Sequence, residues 1–252
     1  MQTYRTNDLA KAAGLHTNTI RLYEGIGFLS PAARAENGYR IFDERHLLQL
    51  DICRSVFRCQ WLGRELRAAS LQVIRAMAAW ELPKAAKLAR RYHDMISAEY
   101  ELAKSTARVL ADWSRNRADH SSTYLALNRA EAAKAIEVTE ETLRTWERSG
   151  LVVVPRVGPN RKRVYGQTEI LRLRIIHMLR RSKYSLSAIL RALTEHDKGN
   201  AAGVIRALNT PKADLVEGSP WIWVGDRWLS ALSQTLESAE EILSLIRKAK
   251  KI

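Results

Sequence analysis

Cysteine is almost missing from this sequence: Cys53 and Cys59 are the only two in 252 residues. They stand six apart in a segment with helical patterning, about 240° apart around the axis, so neither a shared metal nor a shared disulfide is expected. No CxxC, CxxxH or HExxH occurs and the 6 His are scattered, which leaves no metal-ligand spacing. With 6 Pro and 12 Gly the chain is too poor in both for collagen or a flexible tract. No apolar run approaches the roughly 18 to 20 residues that span a bilayer, and the opening MQTYRTNDLAKAAG lacks the apolar core of a signal peptide. A cytoplasmic, nucleoid-associated protein with no membrane partner is expected. No His has a convincing Ser, Cys or Asp partner, and paired carboxylates are wanting, so neither catalysis nor a cofactor is expected.

Acidic residues are also scarce, 27 against 41 Lys and Arg, for a net charge of +14. Residues 1–123 carry +6 and residues 124–252 carry +8, so this is no basic tail on a neutral body. An anionic partner follows, with nucleic acid the first candidate. The length and the 46% hydrophobic fraction suit about two globular domains.

What the chain does have is an internal repeat. Shifted by 123 residues, Ala10, Lys11, Ala12, Thr19, Arg21, Glu24, Gly27, Asn37, Arg40 and Leu50 fall on identical residues from Ala133 to Leu173 without a gap. Similar pairs lie between them, among them Tyr23 with Trp146 and Phe42 with Tyr165. In the first copy, Thr6 or Asn7 can cap a short helix that Gly14 stops. Thr17 or Asn18 can cap a second, carrying Ile20, Arg21, Tyr23 and Glu24. Asn37-Gly38, flanked by Tyr39, Ile41 and Phe42, predicts a two-residue hairpin, a small β-wing. Asp43 can cap a third helix, and a fourth begins near Leu62. The second copy repeats this plan over Ala130–Ala135, Glu140–Arg148, a hairpin at Gly158-Pro159-Asn160, Glu169–Arg181 and Ser185–Leu193, with a more basic wing at Arg161, Lys162 and Arg163.

Two further segments read as helical partners. Pro83 interrupts any helix arriving from Leu71, and Leu88, Tyr92, Met95, Leu102, Val109 and Trp113 then form one apolar stripe. Leu229, Leu232, Leu236, Ala239, Leu243 and Ile246 form a heptad seam. The expected fold is mainly α: two winged helix–turn–helix domains at residues 1–72 and 121–196, each followed by a long helix able to form a coiled coil, within residues 73–120 and 197–252.

In a helix–turn–helix the second helix enters the major groove. The run TNDLAKAAGLHTNTIRLYEGIGFLSPAARAENGYRIFDE resembles the DNA-binding domain of MerR-family bacterial transcription regulators, above all in TIRLYEGIGFL and NGYRIF, over about seventy residues. TLRTWERSGL and RVY keep the pattern in the second copy, while AIEVTE lacks the usual Gly. The resemblance implies a double-stranded promoter or operator as partner, RNA polymerase as a further partner, distortion of promoter DNA, and a homodimer joined through an antiparallel coiled coil. Two modules in one chain also permit an intramolecular pseudo-dimer. Carried over position by position, Thr17, Asn18 and Arg21 face bases or nearby phosphates, Tyr23 a phosphate, and Tyr39 and Arg40 form the wing contact. In the second copy the corresponding residues are Thr139, Arg144, Trp146 and Arg163, with Arg161 and Lys162 added. Tyr23 and Trp146 have a core role as their alternative; Glu24 and Glu147 read as structural, pairing with a backbone donor or a neighbouring Arg. Trp221, Trp223 and Trp228 could line a pocket for a small-molecule effector, or cover a helical core. The readings from other classes are an architectural or recombination factor and a small-molecule-sequestering protein.

Overall fold

In the computed structural model, which describes residues 2–59, 62–116, 126–211 and 224–251, the first copy opens with α1 (Thr6–Ala13) and α2 (Thr17–Gly25). Their caps differ from the expected ones. Arg5 occupies the N-cap of α1, with its N–H donated to Asp8 at 3.3 Å, and Gly14 ends the helix in the left-handed region as predicted. His16 caps α2, its Nδ1 accepting the Asn18 N–H at 3.2 Å. Thr17 and Asn18 therefore lie inside the helix, where their side chains are released from capping.

The wing is β1 (Ala33–Arg34) paired antiparallel with β2 (Arg40–Ile41). Its turn is longer than the predicted two residues. The register pairs Arg34 with Arg40, Ala35 N–H donates to Tyr39, and Gly38 N–H returns to Ala35 at 2.8 Å, which leaves Glu36, Asn37 and Gly38 as a three-residue loop. Gly38, at φ +80°, supplies the left-handed residue that such a loop needs after a tight turn. Then follow α3 (Glu44–Arg58), capped by Asp43 as predicted, α4 (Arg64–Ala78) and α5 (Leu82–Arg115). Pro83 sits in the first turn of α5, where an absent N–H leaves nothing unpaired.

The second copy builds α6 (Arg129–Ala135), α7 (Glu140–Arg148), the wing β3 (Arg156–Val157) with β4 (Lys162–Arg163), α8 (Gln167–Arg181) and α9 (Leu186–Asp197). A short α10 (Val204–Asn209) and the terminal α11 (Trp228–Ala249) complete the described residues.

The two modules have one core written twice. Leu9, Ala10, Ala13, Ile20, Leu29, Phe42 and Leu50 form it in the first. The residues 123 further on, Ala132, Ala133, Ile136, Leu143, Val152, Tyr165 and Leu173, are all buried as well. Even the lone bridge that pins each wing to the module's entry repeats, Tyr4 with Phe42 and Leu127 with Tyr165. Where the side chains differ, the job persists. Gln49 binds the segment after α2 through Ser30 (Ser30 N–H to Oε1, 2.9 Å) and reaches the end of α4 at Met77 O (3.0 Å). Its counterpart Arg172 holds Leu151 O at 2.6 Å and the Asp197 carboxylate at the end of α9.

The chain divides into two units, residues 1–99 with 231–252, and residues 100–230. In the first unit α11 packs on module 1: Arg58 pairs with Glu241, and the Cys59 thiol meets Ser238 Oγ at 3.0 Å. The helix's buried face centres on Leu232, Thr235, Ala239, Ile242 and Ile246, with Leu236 and Leu243 only half-buried. In the second unit the latter part of α5 packs on module 2. Tyr184 Oη donates to Ala103 O at 3.1 Å, and Trp113 stacks on His196, whose Nδ1 lies 2.9 Å from Ser114 Oγ.

The buried face of α5 shares Tyr92 with the predicted stripe but is otherwise displaced from it. Ala85, Ala89, Tyr92, Ile96, Ala103, Ala107 and Leu110 are inside, whereas Leu102 and Val109 stand exposed. Small residues allow a close helix approach that larger ones would block, so the Ala-rich face is the one that packs. In the second unit, Asp226 ties the turn before α11 to α9, accepting from Ser185 (2.8 Å), Ser187 (2.6 Å) and Arg191 (2.9 Å).

Candidate nucleic-acid interface

In α2, Ile20 is buried and Asn18, Arg21, Leu22 and Gly25 point outward. Arg21 has no hydrogen bond or ion pair among the described residues. The face thus offers a guanidinium, an amide, an apolar side chain and a position without a side chain, none of them committed internally.

The same face of α7 carries Glu141, Arg144, Thr145 and Arg148. Here Glu141 takes both cations, Arg144 at 2.6 Å and Arg148 at 2.6 Å. Thr139 falls opposite His16 in the repeat and does its work: Oγ1 accepts the Thr142 N–H at 3.1 Å. The positions of Thr17 and Asn18 are filled by Glu140 and Glu141 in the 123-residue shift.

The wings reverse this contrast. In the first, Tyr39 is 69% exposed, but Arg40 is turned inward, its Nε 2.5 Å from Glu24, which also accepts the Ala32 N–H at 3.1 Å. In the second, Arg163 lies 2.7 Å from Glu147, which further accepts from Arg129 and from the Tyr165 hydroxyl. Arg40 and Arg163 therefore fasten each wing to its helix before they can serve as wing contacts, and Glu24 and Glu147 have the structural role predicted for them. Burial pushes both carboxyls up, but these donors outweigh it and hold them below the ordinary glutamate value. Arg156, Arg161 and Lys162 remain exposed on the second wing and make no ion pair among the described residues. Arg161, Lys162 and Arg163 border an open cleft of about 610 Å³ with Asn128 and Arg129 at the start of α6.

The two aromatic side chains expected at the DNA face pack against their modules to different degrees. Trp146 is 4% exposed and packs into its module near His177, so its ring is closed to solvent. Tyr23 is half-buried between Phe28 and Phe57, with ring centroids 5.7 and 5.9 Å away, and burial raises its hydroxyl pKa. Trp146 takes the core alternative, and Tyr23 packs against the core while staying half-exposed. Trp228 is buried beneath the Lys183 ammonium; Trp221 and Trp223 lie outside the described residues. Cys53 is buried, with its thiol pushed up to about 12. No helix among the described residues is long and apolar enough to cross a membrane.

Comparison with known families matches both copies. The MerR family regulatory protein model covers residues 5–42, and the MerR HTH family regulatory protein model covers residues 128–196. The chain carries two MerR-like modules. The HTH-type transcriptional regulator CueR of Salmonella typhi is 44% identical over 48 residues, which make up 19% of this chain and 35% of CueR. CueR of Escherichia coli O157:H7 is 44% identical over 48 residues, 19% of this chain and 36% of its own. SkgA of Caulobacter vibrioides (strain NA1000 / CB15N), also an HTH-type transcriptional regulator, is 36% identical over 50 residues, 20% of each chain. The chain therefore spans about a third or less of the length of these relatives. No solved structure matches it significantly. The MerR-like modules are thus alike in core and anchoring and unlike in the surface that each turns outward.

Proposed function

We propose that this chain is a MerR-type transcriptional regulator that binds a double-stranded promoter or operator site, with its modules dividing the work. Module 1 reads sequence through Asn18 and Arg21, with Thr17 beside them and Tyr39 on the flanking backbone. Module 2 grips phosphates through Arg161 and Lys162. The observation that carries this reading is the Glu141 bridge, which occupies Arg144 and Arg148 while Arg21, the residue equivalent to Arg144, stays uncommitted. Arg supplies bidentate contact to guanine and Asn to adenine, whereas phosphate contacts position the protein without reading sequence.

One chain serves as both halves of the dimer. The support lies within the units: the helix that follows module 2 packs on module 1, and the end of the helix that follows module 1 packs on module 2. Distortion of the promoter would cost of order 1–6 kcal/mol, which cationic contacts offset.

The test is selection of bound duplexes from a random library, followed by affinity against salt and by mass of the complex. One strongly specified half-site, a weakly specified flank and one chain per duplex are expected. A palindrome bound by two chains would remove the pseudo-dimer and the division of labour. Binding without sequence preference would favour an architectural factor, and weak binding even at low salt would overturn the DNA reading.

A further inference from the structure

Leu22 is 56% exposed on the outward face of α2, between Asn18 one turn before it and Ile26, itself 46% exposed, one turn after. Exposed Leu is ordinary on a protein surface, so exposure alone decides nothing. The repeat supplies the control. The same helix in the second module, with the same core beneath it, carries Thr145 and Ser149 at these two positions. The fold therefore does not require an apolar pair here, and the module whose Arg is uncommitted is the one that has it. Gly25 lies on the same face and opens onto space, with nothing within 4 Å of where a Cβ would stand, so no side chain shields Leu22 on that flank.

Among base edges in the major groove, only thymine presents a methyl group, and an apolar side chain is what recognises it. Resting on the DNA-binding reading above, we infer that Leu22 is a specificity-determining residue that contacts the C5-methyl group of a thymine, with Ile26 shielding the contact from water. Asn18 and Leu22 stand about 6 Å apart along the helix axis, which is about two base-pair steps. The site of module 1 thus contains an adenine opposite Asn18 and a thymine within about two steps of it.

Replacing thymine by uracil removes this methyl group and leaves every hydrogen-bonding group in place. On the best duplex from the selection, each thymine is replaced singly by uracil, and affinity is measured by fluorescence anisotropy for the full chain and for Leu22→Ala. One replacement is expected to weaken the unaltered chain three- to tenfold and to leave Leu22→Ala within twofold, while Asn18→Ala keeps the uracil effect. Sequence preference with no uracil effect, or an equal effect in Leu22→Ala, would overturn this inference and leave the DNA reading standing. Absence of any preferred duplex would overturn both. The uracil series on the unaltered chain needs no variant, so misfolding of Leu22→Ala would not shelter the inference.

Discussion

The two modules share a core at seven of seven compared positions, yet α2 presents Asn18, Arg21, Leu22 and Gly25 to solvent where α7 presents Glu141, Arg144, Thr145 and Arg148. A core must repeat if the fold is to repeat, since a misplaced volume there costs on the order of kcal/mol. An outward face bears no such burden, so it can diverge at no cost to folding. Matching residues by position therefore transfers anchoring roles well and contact roles poorly. Arg144 matches Arg21 in the repeat but sits in an ion-pair network that α2 lacks.

The largest expected effect separates these two arginines. Arg21→Ala should relax base preference at its half-site by roughly 1–3 kcal/mol, while Arg144→Ala, whose side chain is already satisfied by Glu141, should leave preference unchanged. Equal relaxation in both variants would mean that the Glu141 bridge opens on DNA and that the modules read alike. Next in size is the second wing. Replacing Arg161 and Lys162 together by Ala should weaken every duplex alike and reduce the slope of log affinity against log salt by about 2, because each phosphate contact contributes about 0.9. A change in the preferred sequence instead would place this wing in a groove.

A smaller contrast concerns the backbone. Gly14 and Glu137 occupy the same place after the first helix, at φ +64° and +57°. A side chain in that conformation costs roughly 1–2 kcal/mol, which Gly avoids. Glu137→Gly should stabilise module 2 by about 1 kcal/mol in chemical denaturation, and Gly14→Ala should destabilise module 1 by a similar amount, since nothing stands within 4 Å of the added Cβ. If both changes proved neutral, the turn would have to relax at no cost in each module.

Much of this was legible in the sequence, for identifiable reasons. Helix order, wings and core follow from periodicities repeated 123 residues apart, and a signal read twice is hard to misplace. The caps were less legible, because His16 and Arg5 took positions for which Thr and Asn compete nearby. The buried face of α5 is less legible because its Ala-rich side packs closely while Leu102 and Val109 point away. The pairing of the wing arginines is not legible from periodicity, because their partners, Glu24 and Glu147, lie 16 residues earlier, beyond any helical or strand period. Periodicity reports which side of an element is inside; it carries no information on which charges meet across a turn.

Those charge pairs yield the smallest expected effect, one that is present at neutral pH and vanishes in acid. Glu24 is held below 4.5 by Ala32 N–H and Arg40 against the opposing push of burial, and Glu147 by Tyr165, Arg129 and Arg163 against the same push. A carboxyl whose folded pKa is depressed binds its proton more readily when unfolded. Its contribution to stability is therefore complete above the unfolded value, near 4.5, and disappears as pH falls through the lower folded value. Denaturation of Glu147→Gln beside the unaltered chain should show a deficit that is constant from neutral pH down to about 5 and vanishes in stronger acid. Glu24→Gln should behave in the same way, with module 1 as the unit that loosens. A deficit that persisted below the folded pKa would mean that Glu147 acts by shape and neutral hydrogen bonding, and the wing would then be fastened through Tyr165 rather than through Arg129 and Arg163.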